Sequence, residues 1–263
     1  MVDSVFMSEL SWPAFAQRIA DGAPVLLPMG ATEQHGPHLP LGVDVILPVA
    51  ICERVAERVG GIVAPPIAYG YKSQPRSGGG EGFPGTTSLD AHTLALITRD
   101  IIFSLGSKGA RYIVVVIGHV ENAWFALEGI DLALRELRRD GRSDVVVLRL
   151  CYWDLVQPEM LRRIFPNGYP GIDLEHASLL ETSMMLALRP DLVDCGQIPH
   201  ADPAHFAPYD RYPGNTGYLP RSGVLAVAEG ARAEIGQWLI EDHVALISQA
   251  ICKEFGIEHR SDQ

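Results

Sequence analysis

Short apolar runs alternate with longer stretches of helical periodicity along this chain. Ala23 to Met29 is strand-like, and its run Val25-Leu26-Leu27-Pro28-Met29 reads as a buried strand. Val45 to Val59 carries apolar residues at helical spacing and stops at Gly60-Gly61. Ile62 to Ile67 predicts a short strand that its prolines push to a sheet edge. Residues 70–90 form a long Gly/Ser/Pro loop. A helix is expected from Leu89-Asp90 to about Ser107, with Asp90 as its N-cap. Tyr112 to Gly118 is a β-branched strand, Asn122 to Arg139 an amphipathic helix and Asp144 to Leu150 the next strand. Residues 153–174 read as irregular, and Glu175 to Leu188 as helix ending at Arg189-Pro190. After a Pro/Tyr-rich loop over 197–222, Gly223 to Phe255 predicts one helix or two. This rhythm predicts an α/β fold: one domain over residues 1–263, in three layers, with a mostly parallel sheet between helices.

Composition narrows the function classes. With 47% hydrophobic and 20% charged residues, the chain can bury a sizeable core. A formal net charge of −11 argues against a nucleic-acid or anionic-membrane partner. Cys52, Cys151, Cys195 and Cys252 are widely spaced and form no C-x-x-C pair, so they read as buried thiols of a reduced compartment. No run approaches the ~20 apolar residues of a membrane span, and the first residues lack the pattern of a secretory signal. The expectation is a soluble, cytoplasmic protein.

The chemistry concentrates at two strand ends, where open α/β sheets place their sites. Glu33-Gln34-His35-Gly36-Pro37-His38, with Asp44 shortly after, follows the first strand. His119-Val120-Glu121 follows the strand that begins at Tyr112. Glu33, His35, Asp44, His119 and Glu121 are the candidate metal ligands, since carboxylates mixed with imidazoles suit zinc, manganese or a similar ion. A catalytic zinc needs three protein ligands. Five fit better with two divalent ions, bridged by one carboxylate, for which Asp44 is the choice. His38 reads as a loop histidine beside this site. His92, His200, His205, His243 and His259 read as surface or structural.

Four further features bear on this chemistry. The loop from Tyr71 to Ser88 holds Gly78-Gly79-Gly80 and matches no phosphate-binding pattern, so it reads as a substrate-facing wall with Ser77 offering a hydroxyl. His176 stands where the helix from Glu175 is expected to start. There the helix dipole lowers its pKa, making it a proton-shuttle candidate, with a capping-turn histidine as the plainer alternative. Glu181 either orients a ligand or lies on the surface. Trp153 either packs over a ring substrate or belongs to the core. No Gly-x-Ser-x-Gly elbow is present, which removes a serine-hydrolase reading.

Taken together, Glu33-Gln34-His35-Gly36, Val43-Asp44, Tyr69 through Gln74, Ser77 through Gly80, Phe83 through Asp90, Gly118-His119, Glu121-Asn122 and Glu181-Thr182-Ser183 resemble the creatininase (creatinine amidohydrolase) family. The resemblance covers nearly the whole chain. It implies a Rossmann-like α/β fold, a binuclear metal centre and a homohexamer. On it, Glu33, Asp44 and His119 hold one ion, and His35, Asp44 and Glu121 the other. Ser77, Asp173 and His176 match substrate-contacting positions. His176 and Glu121 are then the catalytic candidates, with His176 as the proton shuttle.

Two departures from the family pattern bear on the substrate. Creatininase carries a tyrosine where this chain has Val120, and a tryptophan where it has Ile172. Losing aromatic stacking costs about 0.5–1.5 kcal/mol beyond burial. Losing a tyrosine hydrogen bond costs about 1 kcal/mol more, so the penalty for creatinine is tenfold or greater. The expectation is a hydrolase that opens a small cyclic substrate, first a cyclic amide such as creatinine. Its alternatives are C–C hydrolysis of an oxidised inositol such as 3-dehydro-scyllo-inosose, and a non-catalytic metal-binding relative.

Overall fold

Four parallel strands form the sheet. In the computed structural model, which describes residues 4–74, 76–200, 203–212 and 219–258, they are β1 (Val25–Met29), β2 (Ile62–Val63), β3 (Tyr112–Ile117) and β4 (Val146–Cys151). Their order is β2-β1-β3-β4. β1 and β3 pair in register from Val25↔Ile113 to Met29↔Ile117. Both strands are almost wholly apolar because both faces are covered. Val25, Leu27, Met29, Ile113, Val115 and Ile117 enter one core with α1 (Trp12–Ala20), α3 (Ala91–Ser107) and α4 (Asn122–Arg139). Leu26, Val114 and Val116 enter the other, with α2 (Val43–Val59), α6 (Leu179–Leu188) and α7 (Ala233–Phe255). Each fully buried aliphatic side chain there stabilises the fold by about 1.5–3 kcal/mol. The expected mostly parallel sheet between two helical layers is therefore what forms.

Strand order fixes where a site can lie. From β1 the chain moves outward through α2 to β2, and from β3 it moves the opposite way through α4 to β4. The strand order reverses between β1 and β3. A crevice opens at their C-terminal ends, and both polar clusters emerge into it.

Three residues wedge Asp44 into that crevice. Pro48 lies inside α2 and has no N–H to give the Asp44 carbonyl four residues earlier. Gly30 follows β1 and Gly118 follows β3. A Cβ on either would stand 2.2 Å or 2.4 Å from the Asp44 carbonyl oxygen. Only glycine lets the helix start approach both strand ends this closely. Gly118→Ala is expected to destabilise by about 1–3 kcal/mol through overpacking, read as a Tm several degrees lower in a thermal melt.

Several elements differ from expectation. Helix α6 begins at Leu179, not at Glu175. Residues 158–164, expected to be irregular, form the short helix α5 (Pro158–Ile164). β2 ends at Val63, before the prolines, and beyond it Ile67 meets β1 only as an isolated bridge to Met29. α7 is one helix starting at Ala233, ten residues later than Gly223. Asp90 does occupy the N-cap of α3, but its carboxylate pairs with Lys72 instead of capping. Cys195 is exposed and Cys252 half-buried, unlike the buried Cys52 and Cys151, and all four thiols are free. Among the described residues, no helix is long and apolar enough to cross a membrane. His259 lies outside the described residues.

Candidate metal centre

Glu33, His35, Asp44, His119 and Glu121 are all buried, and the fold brings them together. Asp44 stands at the middle. Its Oδ1 lies 3.1 Å from His35 Nε2, and its Oδ2 lies 3.1 Å from His119 Nδ1. The loops after β1 and β3 thus each direct one imidazole nitrogen at a different oxygen of the same carboxylate. Glu33 Oε2 is 3.1 Å from the same His119 nitrogen.

The other ring nitrogens are held by carbonyls. His35 Nδ1 donates to the Glu33 backbone oxygen at 3.1 Å, and His119 Nε2 to that of Tyr71 at 2.9 Å. That leaves His35 Nε2 and His119 Nδ1 as the nitrogens facing the cluster, an arrangement shared by metal-binding histidines once deprotonated. Glu121 is oriented too. Its Oε1 accepts from Gln74 N–H at 2.7 Å and from the Ser77 hydroxyl. The glycine loop closes over Glu33: a Cβ on Gly78 or Gly80 would come within 2.6 Å of Glu33 Oε1.

The electrostatics favour positive charge. Burial alone would lower the His35 pKa, but Asp44 and Glu181 overcome it and raise the ring to about 10. Burial likewise opposes His119, and Glu121 and Glu33 hold it well above the ordinary value. Burial raises the Glu181 carboxyl to about 7, although His35 draws it down. Glu33 Oε1, His35 Nε2, Asp44 Oδ2 and Glu121 Oε2 are buried without a hydrogen-bond partner among the described residues. Buried polar atoms are normally paired. Unpaired carboxylate and imidazole atoms in a region that favours positive charge fit a divalent-metal donor set.

The grouping of ligand atoms agrees in part with the two expected sets. Donor atoms of Glu33, Asp44 and His119 lie within 4.8 Å of one another. His35 and Asp44 group at that distance with Glu181. Glu121 sits at the opposite nitrogen of His119, with its Oε2 at 3.3 Å from Nε2. Glu181 is buried, so its surface reading does not hold. It accepts from Ala177 N–H at 2.7 Å and lies 3.8 Å from His35 Nε2.

His176 lies three residues before α6, so the helix dipole does not set its charge. Burial does, lowering its pKa to about 4 against the pull of Glu33. Gln34 orients it. The Gln34 carbonyl accepts from Gly36 N–H, so its amide NH₂ faces His176 Nε2 at 2.9 Å and makes that nitrogen an acceptor. Nε2 is 3.9 Å from Glu33 Oε1. Next to it, Ala177 takes φ +55°, a left-handed conformation that costs a non-glycine residue about 1–2 kcal/mol.

The remaining candidates line one cavity of about 650 Å³ above the cluster. Ser77 lines it with its hydroxyl already committed to Glu121. Asp173 stands 3.7 Å from Arg76 at the rim. Trp153 packs against core residues and also lines the cavity. Val120 and Ile172, 37% and 45% exposed, form part of the same wall. His38 does not enter the cavity wall; its Nε2 meets the Thr182 hydroxyl at 2.9 Å. The sequence reading gives Gln34 and Glu175 no role of their own and takes His243 as surface or structural. Gln34 stood inside the motif, whereas His243 gave no signal beyond a lone histidine on a helix.

A three-layer α/β fold with a cation-seeking cluster at its switch point defines the class. Comparison with known proteins narrows it. The creatininase family, described as creatinine amidohydrolase, matches residues 8–251. The creatinine amidohydrolase of Pseudomonas putida is 50% identical over 257 residues, 97% of this chain and 99% of that one. A creatininase variant solved in a Zn–Zn form superposes with a TM-score of 0.94 at 49% identity, covering 96% of this chain and 99% of that one. A creatininase variant complexed with creatine gives 0.93 at 48% identity, with the same coverage. The chain belongs to the creatininase family.

Proposed function

We propose that this chain is a binuclear-metal-dependent hydrolase that opens a cyclic amide of the creatinine type, acting as one catalytic domain. The observation that carries this reading is Asp44, whose two oxygens face imidazoles from two different strand ends. Glu33, Asp44 and His119 would hold one ion. His35, Asp44 and Glu121 would hold the other, with Glu181 near the same His35 nitrogen that faces Asp44. Two divalent ions in such a site supply a Lewis acid for the carbonyl and a nucleophilic water near neutral pH.

The chain's own groups do the rest. Gln34 keeps His176 Nε2 as a proton acceptor. Once Gln34 N–H gives up that lone pair, His176 accepts the proton of the attacking water and delivers it to the ring nitrogen as the C–N bond breaks. Val120 and Ile172 offer aliphatic surface to the substrate ring in place of aromatic faces. The Pseudomonas relative and the creatine complex of a related creatininase support the substrate class. A homohexamer in the cytoplasm is the assembly and setting that the family likeness suggests.

The test is hydrolysis of creatinine by protein loaded with zinc or manganese. Creatine is expected as product, with turnover abolished by a chelator and restored by either metal. Metal at 100 times its Kd is expected to stabilise the fold by about 2.7 kcal/mol. Protein that binds metal, leaves creatinine intact and consumes 3-dehydro-scyllo-inosose would overturn the amide reading. Ser77→Ala removes a hydroxyl that orients Glu121. It is expected to weaken metal affinity by about 10–100-fold, measured by metal titration.

A further inference from the structure

The cavity that holds the carboxylate–imidazole cluster is also lined by groups that opening a small ring does not require. There Met184 of α6 and Leu239 of α7 supply apolar wall, while Tyr152, Glu175 and His243 supply polar groups. Glu175 is 9% exposed and His243 2%. Glu175 Oε2 accepts from Leu180 N–H at 3.1 Å. Its Oε1 has no partner among the described residues, and neither has His243 Nδ1. The Tyr152 ring stands edge-on to His243, with 5.5 Å between centroids.

A buried polar atom left unpaired costs about 1–3 kcal/mol. Two such atoms in the wall of one cavity mark a place suited to a ligand. Burial disfavours the charged form of both groups. Burial raises the Glu175 carboxyl well above its ordinary range, and burial lowers the His243 ring to about 4. An ion would enter without a counter-charge, at high desolvation cost. A carboxyl and an imidazole whose unpaired atoms Oε1 and Nδ1 line one cavity instead suit a group that both accepts and donates hydrogen bonds.

We propose that this part of the cavity wall is a second substrate subsite, in which Glu175 and His243 bind an uncharged carboxamide-class substituent on the cyclic amide. The cavity of about 650 Å³ lies in the range that takes drug-sized ligands, roughly 300–1,000 Å³, well beyond the needs of one five-membered ring. The proposal rests on the cyclic-amide reading for what fills the rest of the cavity.

The test compares creatinine with a creatinine whose N-methyl group is replaced by carbamoylmethyl. In the zinc-loaded protein, kcat/KM for the extended amide is expected to exceed that for creatinine by about tenfold, the worth of one good hydrogen bond. His243→Leu and Glu175→Leu should each bring that ratio to about one. Glu175→Gln, which keeps a donor for the ligand and a carbonyl for Leu180 N–H, should preserve it. A ratio that neither leucine variant moves, or an extended amide that is excluded, overturns the subsite. An independent arm soaks crystals of the zinc-loaded protein in acetamide. Density on Glu175 Oε1 or His243 Nδ1 supports the subsite, and density only elsewhere refutes it. Should neither amide be turned over, the amide-opening reading fails while the acetamide arm still decides the subsite.

Discussion

Asp44→Asn is expected to lower kcat by about 10³-fold or more, the equivalent of some 4 kcal/mol of transition-state stabilisation. Asparagine keeps the shape of the side chain but replaces one carboxylate oxygen with an NH₂ donor. One of the two imidazole nitrogens, each 3.1 Å away, then faces a donor instead of an acceptor. With one oxygen lost, Asp44 would contribute to only one of the two cations it is proposed to hold. Metal analysis is expected to show fewer ions per chain. The fold itself should persist, because Asp44 is held by its backbone against Gly30 and Gly118 rather than by its carboxylate. Full metal content with unchanged turnover would remove Asp44 from the bridge.

His176→Asn should act differently, lowering kcat by about 10²–10⁴-fold, the usual contribution of a proton-transfer group, while KM and metal content stay near wild type. The contrast is informative because His176 also groups closely with Glu33 and His35. If the variant loses an ion, His176 is a ligand and not a shuttle. The pH profile adds a second check. The neutral ring is the working base, and it is lost as pH falls through its pKa. Burial lowers that pKa to about 4, so His176 does not impose an acid limb near the ordinary value of 6.5. A limb near 6.5 that vanishes in His176→Asn would contradict the burial argument.

The sequence made the sheet legible because β1 and β3 are covered on both faces and read as unbroken apolar runs. Helix α4 matched its expected ends, Asn122 and Arg139, because its amphipathic period is regular and ends in charge. The start of α6 was misread because Glu175-His176-Ala177-Ser178 looks like an ordinary first turn. Tertiary contacts decide otherwise. The Glu181 carboxylate takes the Ala177 N–H, Leu225 N–H binds the His176 carbonyl, and Ala226 N–H binds the Ser178 hydroxyl. The five clustered donors could be named from their strand-end positions. The burial of Glu181, the wedge at Asp44 and the cavity wall at His243 could not, since each depends on elements distant in sequence coming into contact.

The glycines and proline that seat Asp44 lie behind the strand ends, whereas Val120 and Ile172 stand on partly exposed turns at the mouth of the cavity. Grip and taste are thus mounted on separate backbone. Replacements at the mouth can accumulate and redirect an enzyme toward a new compound without loosening what performs the reaction. Descendants of such a scaffold would diversify in diet sooner than in chemistry.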